Sequence, residues 1–182
     1  IVTTRNATIA WETVSGSQTR TIYDSHLVDH ITGWADPIAQ SIMCTNKGGS
    51  YLTSIDVYFS AKHATLPVTL EIREMENGIP TNIIYPFGSV QLDAANVNIS
   101  SNGTTPTTFT FETPIFVSEG VEFAVVLKSN SSDYRAWIAT MGYDQNGNLY
   151  KDIITGYPIV KNPYNGVFFK SKNGSTWSED QY

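Results

Sequence analysis

The sequence predicts an all-β protein, an antiparallel β-sandwich of jelly-roll type that is preceded by an N-terminal strand or hairpin arm. Residues 51–75 contain two runs in which apolar and polar side chains alternate. Short strand-like runs are separated by turn signals about every eight to twelve residues, a spacing typical of sandwiches and barrels. No stretch shows a helical period over about twelve residues, the length at which a helix would be recognised.

Residues 51–75 form the centre of the predicted sandwich. Their alternating apolar positions are Ile55, Val57, Phe59, Val68, Leu70 and Ile72. Because successive strand side chains point to opposite faces, each run places these residues on one buried face. The intervening residues 60–67 are too many for a two-residue hairpin, so we expect the second strand to cross to another sheet. On the opposite face of that strand, Glu71 and Arg73 are expected in solvent.

The N-terminal part of the chain differs from the rest. Residues 8–14 and 19–23 are Thr-rich and flank Ser-Gly-Ser at 15–17, which predicts a hairpin. An isolated hairpin is only marginally stable in water, so it must pack on the main domain, on a neighbouring domain or on a copy of itself. We therefore divide the chain into an extended or hairpin arm, residues 1–33, and a sandwich domain, residues 34–182.

The other strands are predicted from short apolar or alternating runs between turns. They are residues 38–45, 89–92, 97–100, 107–111, 121–128, 134–141, 153–161 and 166–170. Asn77-Gly78 marks a turn after the central pair. Pro80 and Pro86 exclude residues 81–87 from a central sheet position, because proline cannot donate to the hydrogen-bond ladder.

Composition and charge exclude several classes of function. The 182 residues carry 11 Lys and Arg against 17 Asp and Glu, a net charge of −6 without a basic cluster, so nucleic acid is not an expected partner. No apolar run is long enough to span a bilayer, so membrane insertion is not expected. The one cysteine, Cys44, cannot form an intrachain disulfide and is expected to be a buried, unreactive thiol. The chain begins at Ile1 instead of Met, so we expect a piece of a longer polypeptide.

Catalytic constellations are missing from the sequence. Hydrolysis needs a nucleophile beside a base or two carboxylates across a cleft. No Gly-x-Ser-x-Gly elbow, P-loop or dinucleotide fingerprint occurs. Glu71, Glu74 and Glu76 are close in sequence and are interpreted as solvated charges, while His63 lies in a loop beside Lys62 without an obvious acidic partner. We expect neither enzymatic activity nor a cofactor.

Two patterns resemble metal sites without matching one. His26 and His30 are four residues apart, as in metal-binding pairs, but the Glu of the metalloprotease motif is missing, so we interpret them as surface or interface residues. Residues 144–148 resemble the start of a calcium loop, yet its sixth and twelfth positions are Leu149 and Thr155 instead of Gly and Glu. We therefore predict no metal site. The oxygen ligands that remain for a weak one are Asp144, Asn146, Asn148 and Asp152.

Aromatic residues are concentrated in the C-terminal third of the chain. Exposed rings stack on sugars while neighbouring polar groups bind hydroxyls, so this region is the candidate for glycan binding. The candidate residues are Tyr143, Tyr150, Tyr164 and Asp144, all on predicted loops. Strand aromatics such as Trp137 and Phe168 are expected in the core.

Residues 171–177, Ser-Lys-Asn-Gly-Ser-Thr-Trp, are similar to the Asp-box of sialidases, Ser-x-Asp-x-Gly-x-Thr-Trp. The segment is one residue shorter, has Asn at the Asp position and occurs once. In those proteins the motif clips a hairpin, so the similarity implies a structural role and no catalysis.

A set of motifs extends through most of the sandwich domain. It comprises Asp-Pro-Ile-Ala-Gln-Ser (36–41), Gly-Gly-x-Tyr-Leu-Thr-Ser-Ile-Asp-Val-Tyr-Phe (48–59), Leu-Pro-Val-x-Leu-x-Ile-Arg (66–73), Asn-Gly-x-Pro (77–80), Thr-Phe-Thr-Phe (108–111), Glu-Phe-Ala-Val-Val-Leu (122–127) and Trp-Ile-Ala-x-Met-Gly (137–142). Over about residues 34–177, the set resembles a β-sandwich module of baseplate, neck or tail-fibre-associated structural proteins of contractile-tailed bacteriophages, cyanophages included. One departure is residues 42–44, Ile-Met-Cys, where we would expect an aromatic residue.

The resemblance implies a non-enzymatic structural role in the virion tail, in subunit assembly and host-surface attachment. The expected partners are other virion subunits or neighbouring domains of the same chain, a cell-surface glycan or receptor, and further copies of the chain in a homo-oligomer. The alternative function is a carbohydrate-binding module that recognises cell-surface glycans. A third class, a polysaccharide-degrading enzyme, needs a pair of carboxylates that the sequence does not offer.

Overall fold

The computed structural model describes residues 5–13, 16–24, 36–138, 147–149, 151, 157–158 and 166–180. Apart from one 3-10 turn, Ala94–Asn96, the regular structure of the described residues is entirely strand. The strands are β1 (Arg5–Thr13), β2 (Gly16–Asp24), β3 (Ile38–Met43), β4 (Ser50–Ala61), β5 (Val68–Glu76), β6 (Ile79–Leu92), β7 (Pro106–Val117), β8 (Glu122–Ser129), β9 (Arg135–Ala136), β10 (Phe168–Ser171) and β11 (Trp177–Asp180). The predicted antiparallel β-sandwich is confirmed, and its jelly-roll connectivity remains a prediction.

Two sheets build the sandwich. The larger sheet has six strands in the order β11-β10-β3-β8-β5-β6, and the smaller sheet has three in the order β7-β4-β9. Neighbouring strands are antiparallel throughout both sheets. Because β4 and β5 lie in different sheets, the predicted crossing between them is confirmed. β1 and β2 pair with each other as the predicted hairpin, with Arg5 opposite Asp24.

The main core lies between the two sheets. Phe59 of β4 and Phe109 of β7 are fully buried, and they belong to one cluster with Leu70 and Ile72 of β5. Each such side chain contributes about 1.5–3 kcal/mol when it leaves water. The alternating residues of β4 and β5 therefore face this core, as their sequence pattern predicts.

The larger sheet is buried on its other face as well. Ala39, Ala124, Val126 and Phe169 form a second apolar cluster there. Trp177 lies edge-on to Phe169 with ring centroids 6.5 Å apart. A sheet that is covered on both faces does not keep a simple alternation of buried and solvated residues.

Some predicted strands differ from the observed ones. Residues 97–100 contribute only an isolated bridge between Ile99 and Phe59, since the amide of Asn98 is bonded to a side chain, the hydroxyl of Thr107. Residues 81–87 belong to the continuous β6, which tolerates its prolines because it is an edge strand. Most of the predicted strand 153–161 lies outside the described residues.

Candidate functional site

A cleft of about 510 Å³ opens on the face of the larger sheet that points away from the smaller sheet. Its floor is a row across three adjacent strands, in which Thr69 of β5 lies opposite both Lys128 of β8 and Gln91 of β6. Residues opposite each other in a ladder point to the same side of a sheet. At one end lie Asp36 and Ser129, and at the other lies the loop 172–175 between β10 and β11. We call this site the polar cleft; its volume is in the range of small-molecule sites.

Glu71 provides the negative charge in the floor of the polar cleft. Its Oε2 accepts hydrogen bonds from Arg73 Nε at 2.8 Å and from Arg73 Nη2 at 2.6 Å. Its Oε1 is paired with the ammonium group of Lys128. The side chains of Glu71 and Arg73 are only 4% and 8% exposed. A buried charge is tolerated only when it is paired and hydrogen-bonded, and both carboxylate oxygens of Glu71 meet that condition.

The prediction that Glu71 and Arg73 face solvent is therefore wrong. They do point away from the main core, as the alternation requires. However, the loop 172–175 covers them, because Arg73 Nη1 donates a hydrogen bond of 3.0 Å to the carbonyl oxygen of Gly174. Glu74, which does not share this face, is exposed, and so is Glu76.

Asp36 lies at the other end of the polar cleft. Its two carboxylate oxygens accept the amide hydrogen of Ser129 at 3.1 and 3.3 Å. Burial raises the pKa of Asp36 to about 7, although the hydrogen bond from Ser129 and the positive charge of Lys128 both favour the carboxylate. A carboxyl group in this environment changes charge close to neutral pH. The sequence shows Asp36 only as part of a turn and carries no signal of this burial.

The loop 172–175 is held in place by the segment that resembles an Asp-box. Ser171 Oγ accepts the amides of Asn173 and Gly174 and donates to the carbonyl oxygen of Thr176 at 2.7 Å. Asn173 Oδ1 accepts the amides of Ser175 and Thr176 and the hydroxyl of Thr176. The asparagine thus supplies the acceptor that the motif requires. The segment clips the hairpin between β10 and β11, as its similarity to the Asp-box implies.

The polar cleft carries an excess of positive charge. Arg73, Lys128 and Lys172 line it together with two carboxyl groups, Glu71 and Asp36. Since Asp36 is only partly ionised near neutral pH, the cations outnumber the anionic charges. This local sign is opposite to that of the chain, whose net charge is −6. A depression with a net positive charge attracts anionic ligands.

Most of the predicted site residues lie outside the part of the chain that the structure describes. This is the case for the glycan-binding candidates Tyr143, Asp144, Tyr150 and Tyr164, for the oxygen ligands Asn146 and Asp152, and for His26 and His30. Asn148 is described and exposed. Among the described residues, no group of three or more His, Cys, Asp or Glu side chains is placed to hold a metal ion.

The expectation that Trp137 and Phe168 belong to the core is not met. Trp137 is 37% exposed, and its indole Nε1 donates to the carbonyl oxygen of Ser100. Phe168 is only partly buried, whereas its neighbour Phe169 is 1% exposed. On a strand only one of two successive residues can face a given core, and here it is Phe169.

His63 and Cys44 both have structural roles. His63 Nδ1 accepts the amides of Thr65 at 3.0 Å and Leu66 at 2.8 Å, which holds the turn before β5. Its Nε2 lies 4.0 Å from Asp133 Oδ2. The sequence did not indicate this contact because the two residues are far apart along the chain. Cys44 is buried, as predicted, and its Sγ donates to the carbonyl oxygen of Val117.

Comparisons with known proteins give no assignment. No family model, no curated protein and no solved structure matches the chain. Within the described residues, no helix is long and apolar enough to cross a membrane. The function therefore has to be argued from the geometry and from the sequence motifs.

Proposed function

We propose that this chain is a non-enzymatic structural module of the tail or baseplate of a contractile-tailed phage, where it contacts neighbouring virion subunits and the host surface. The antiparallel sandwich supports the proposal because it is the fold that the motif resemblance implies. The motifs at 48–59, 66–73 and 122–127 coincide with β4, β5 and β8, the central strands of the two sheets.

The proposed assembly function rests on the exposure and the backbone conformation of Phe87. It lies on β6, it is 64% exposed, and its φ is +61°, in the left-handed region. A non-glycine residue in that region costs about 1–2 kcal/mol. Phe87 lies where the register between β5 and β6 shifts, between the pairs Glu71–Ser89 and Arg73–Ile84. Its exposed ring adds little to the core, so the ring itself does not offset this cost within the domain. Strain of this kind concentrates at functional positions such as ligand-binding and switch regions, so we infer a functional role for Phe87.

The surroundings of Phe87 fit a protein partner. β6 is 14 residues long and forms one edge of the larger sheet. Its exposed apolar residues are Ile79, Ile83, Ile84 and Phe87. Ile83 and Ile84 are successive residues and lie on opposite faces of the strand, so we use the name β6 edge for the exposed apolar residues on both faces. A long apolar edge strand presents unpaired backbone groups that add a strand from another chain. The partner that we propose is a strand of a neighbouring virion subunit.

Assembly of particles tests this function. The parent protein with Ile83→Asp and Phe87→Asp is expected to fold but to be incorporated poorly, because charges on the β6 edge oppose burial. Thr110→Asp on the exposed face of β7 is the matched control and should be incorporated normally. Cryo-imaging with an antibody to this domain should locate it on the tail. Absence from the virion, or normal incorporation of the double variant, would contradict the proposal.

Carbohydrate binding is the second candidate function. The polar cleft favours it, because amide and hydroxyl side chains such as Gln91, Ser89 and Thr69 line it. Titration of glycans against tryptophan fluorescence tests it: saturable binding at millimolar or lower concentration supports it. If binding is lost in Tyr143→Ala or Tyr150→Ala but kept in cleft variants, the aromatic region and not the polar cleft is the site.

A further inference from the structure

We propose that the polar cleft binds a saccharide that carries an acidic group, a carboxylate or a sulfate ester, with Lys128 and Lys172 contacting the acid and Gln91 and Thr69 contacting hydroxyls. This inference rests on the second candidate function and assigns its site and ligand class. It is carried by the arrangement of charges and of unused hydrogen-bonding groups in the cleft.

Lys128 is positioned to bind an anionic ligand that enters from solvent. Its ammonium group pairs with Glu71 Oε1, and its side chain is 27% exposed. An ammonium has three N–H donors, and no other described residue accepts a hydrogen bond from Lys128 Nζ. Glu71 thus fixes the position of the ammonium while donors remain for a ligand. Lys172, on the loop 172–175, brings a second ammonium to the same cleft.

Glu71 and Arg73 do not compete for the ligand. Both oxygens of Glu71 are occupied by Arg73 and Lys128. Arg73 donates hydrogen bonds to Glu71, to the carbonyl oxygen of Gly174 and, more weakly, to Asn82 Oδ1 at 3.3 Å. These residues form a hydrogen-bonded base beneath Lys128, and such supporting bonds position a binding group precisely enough to select a ligand.

Three further polar side chains of the floor have no side-chain partner within the part of the chain that the structure describes. Thr69, Ser89 and Gln91 make no side-chain hydrogen bond to other described residues, and all three line the cleft. Thr69 lies directly between Lys128 and Gln91 in the ladder. A ligand that places its acid on Lys128 therefore reaches a hydroxyl and an amide on the next two strands, which are about 5 Å apart each. Hydroxyl groups on a ring at that spacing match a sugar.

Few apolar side chains line the polar cleft among the described residues. Pro37 and Pro67 are its apolar side chains, and no aromatic residue lines the cleft within the described part of the chain. Recognition would then depend on hydrogen bonds and charge and not on stacking, which distinguishes this site from the aromatic region at 143–164. A hydrophobic peptide segment would leave the cleft donors unpaired, at a cost for each.

Calorimetric titration of this chain tests the inference. The probes are methyl glucuronide, glucose 6-sulfate, methyl glucoside and acetate. We expect both acidic sugars to bind saturably and about tenfold or more tightly than methyl glucoside, as for one charged hydrogen bond. Equal binding of methyl glucoside overturns the acidic specificity but keeps carbohydrate binding. If acetate binds as tightly as methyl glucuronide, the proposal that the ligand is a saccharide is overturned. If neither acidic sugar binds saturably, the proposal that the polar cleft is a binding site is overturned.

Variants locate the binding. Lys172→Ala is expected to weaken the binding of methyl glucuronide about tenfold. The fold should be unaffected, since Lys172 is exposed. Gln91→Ala, also at an exposed position, is expected to weaken both methyl glucuronide and methyl glucoside. Lys47→Ala, in the turn before β4, removes the same charge elsewhere and should leave binding unchanged. Unaltered binding in both Lys172→Ala and Gln91→Ala places the sugar outside the polar cleft and overturns the inference.

Discussion

Arg73 and Gly174 are joined by a hydrogen bond of 3.0 Å although they are 101 residues apart in sequence. This bond connects β5 to the hairpin of β10 and β11 and closes one end of the polar cleft. It also explains why two charged residues on a strand of alternating pattern are buried.

Loss of Arg73 is expected to destabilise the domain strongly. Arg73→Met leaves the buried Glu71 with Lys128 alone, and breaking a buried ion pair costs about 3–5 kcal/mol of unfolding free energy. The double variant Glu71→Leu/Arg73→Met removes both charges and should recover most of that loss. Urea denaturation measures both. A loss below about 1 kcal/mol in the single variant, a value typical of surface pairs, would show that the pair is solvated.

Asp36 is expected to make stability depend on pH. Its pKa is raised from 3.8 to about 7 in the folded protein, so between these values the folded state binds more protons than the unfolded state. Stability therefore falls as pH rises from about 4 to about 7, by at most about 1.4 kcal/mol per pH unit, and the slope vanishes above that range.

The variant Asp36→Asn isolates this contribution. Its neutral amide oxygen can still accept the amide of Ser129, so we expect the decline between pH 5 and about 7 to flatten. Asp93→Asn, at an exposed position whose side chain makes no capping bond, should keep the wild-type slope. Urea midpoints at several pH values measure the difference. An unchanged slope in Asp36→Asn would assign the pH dependence to other groups.

Phe87→Asn is expected to stabilise the isolated domain. Asparagine tolerates a φ of +61° better than phenylalanine, and the exposed ring contributes little to the core. We expect a gain of up to about 1 kcal/mol, measured by thermal unfolding. The same variant should assemble poorly if the β6 edge is an interface. A destabilised variant would mean that the ring of Phe87 packs within the domain.

Asn173 is expected to tolerate substitution by Asp but not by Ala. Asn173→Ala removes the acceptor of three hydrogen bonds in the hairpin clip, at a cost of about 1–3 kcal/mol. Asn173→Asp keeps an oxygen at the same place and should be close to the wild type. Amide hydrogen exchange of β10 and β11 distinguishes the two. Equal protection in both variants would show that the clip does not hold the hairpin.

The sequence predicts local features well and long-range burial poorly. Phe59, Leu70 and Ile72 were recognisable because alternation along a strand reports which residues share a face. The clip at 171–177 was recognisable because its bonds join residues at most five apart. The prediction for Glu71 is wrong because alternation does not reveal whether the opposite face meets water or another part of the chain. The pKa of Asp36 depends on burial and on Lys128, which is 92 positions away in the sequence, and no local pattern encodes that.

The bond between Arg73 and Gly174 also sets an order of events during synthesis. At about 5–20 residues per second, Gly174 leaves the ribosome roughly 5–20 s after Arg73. In that interval β10 is not available to pair with β3, which lies near the start of the sandwich. Once β8 has been synthesised, the nascent larger sheet exposes the face that bears Ala124 and Val126 until the hairpin of β10 and β11 docks. Emergence of the hairpin of β10 and β11, and not the initial collapse, determines when this face is protected from aggregation.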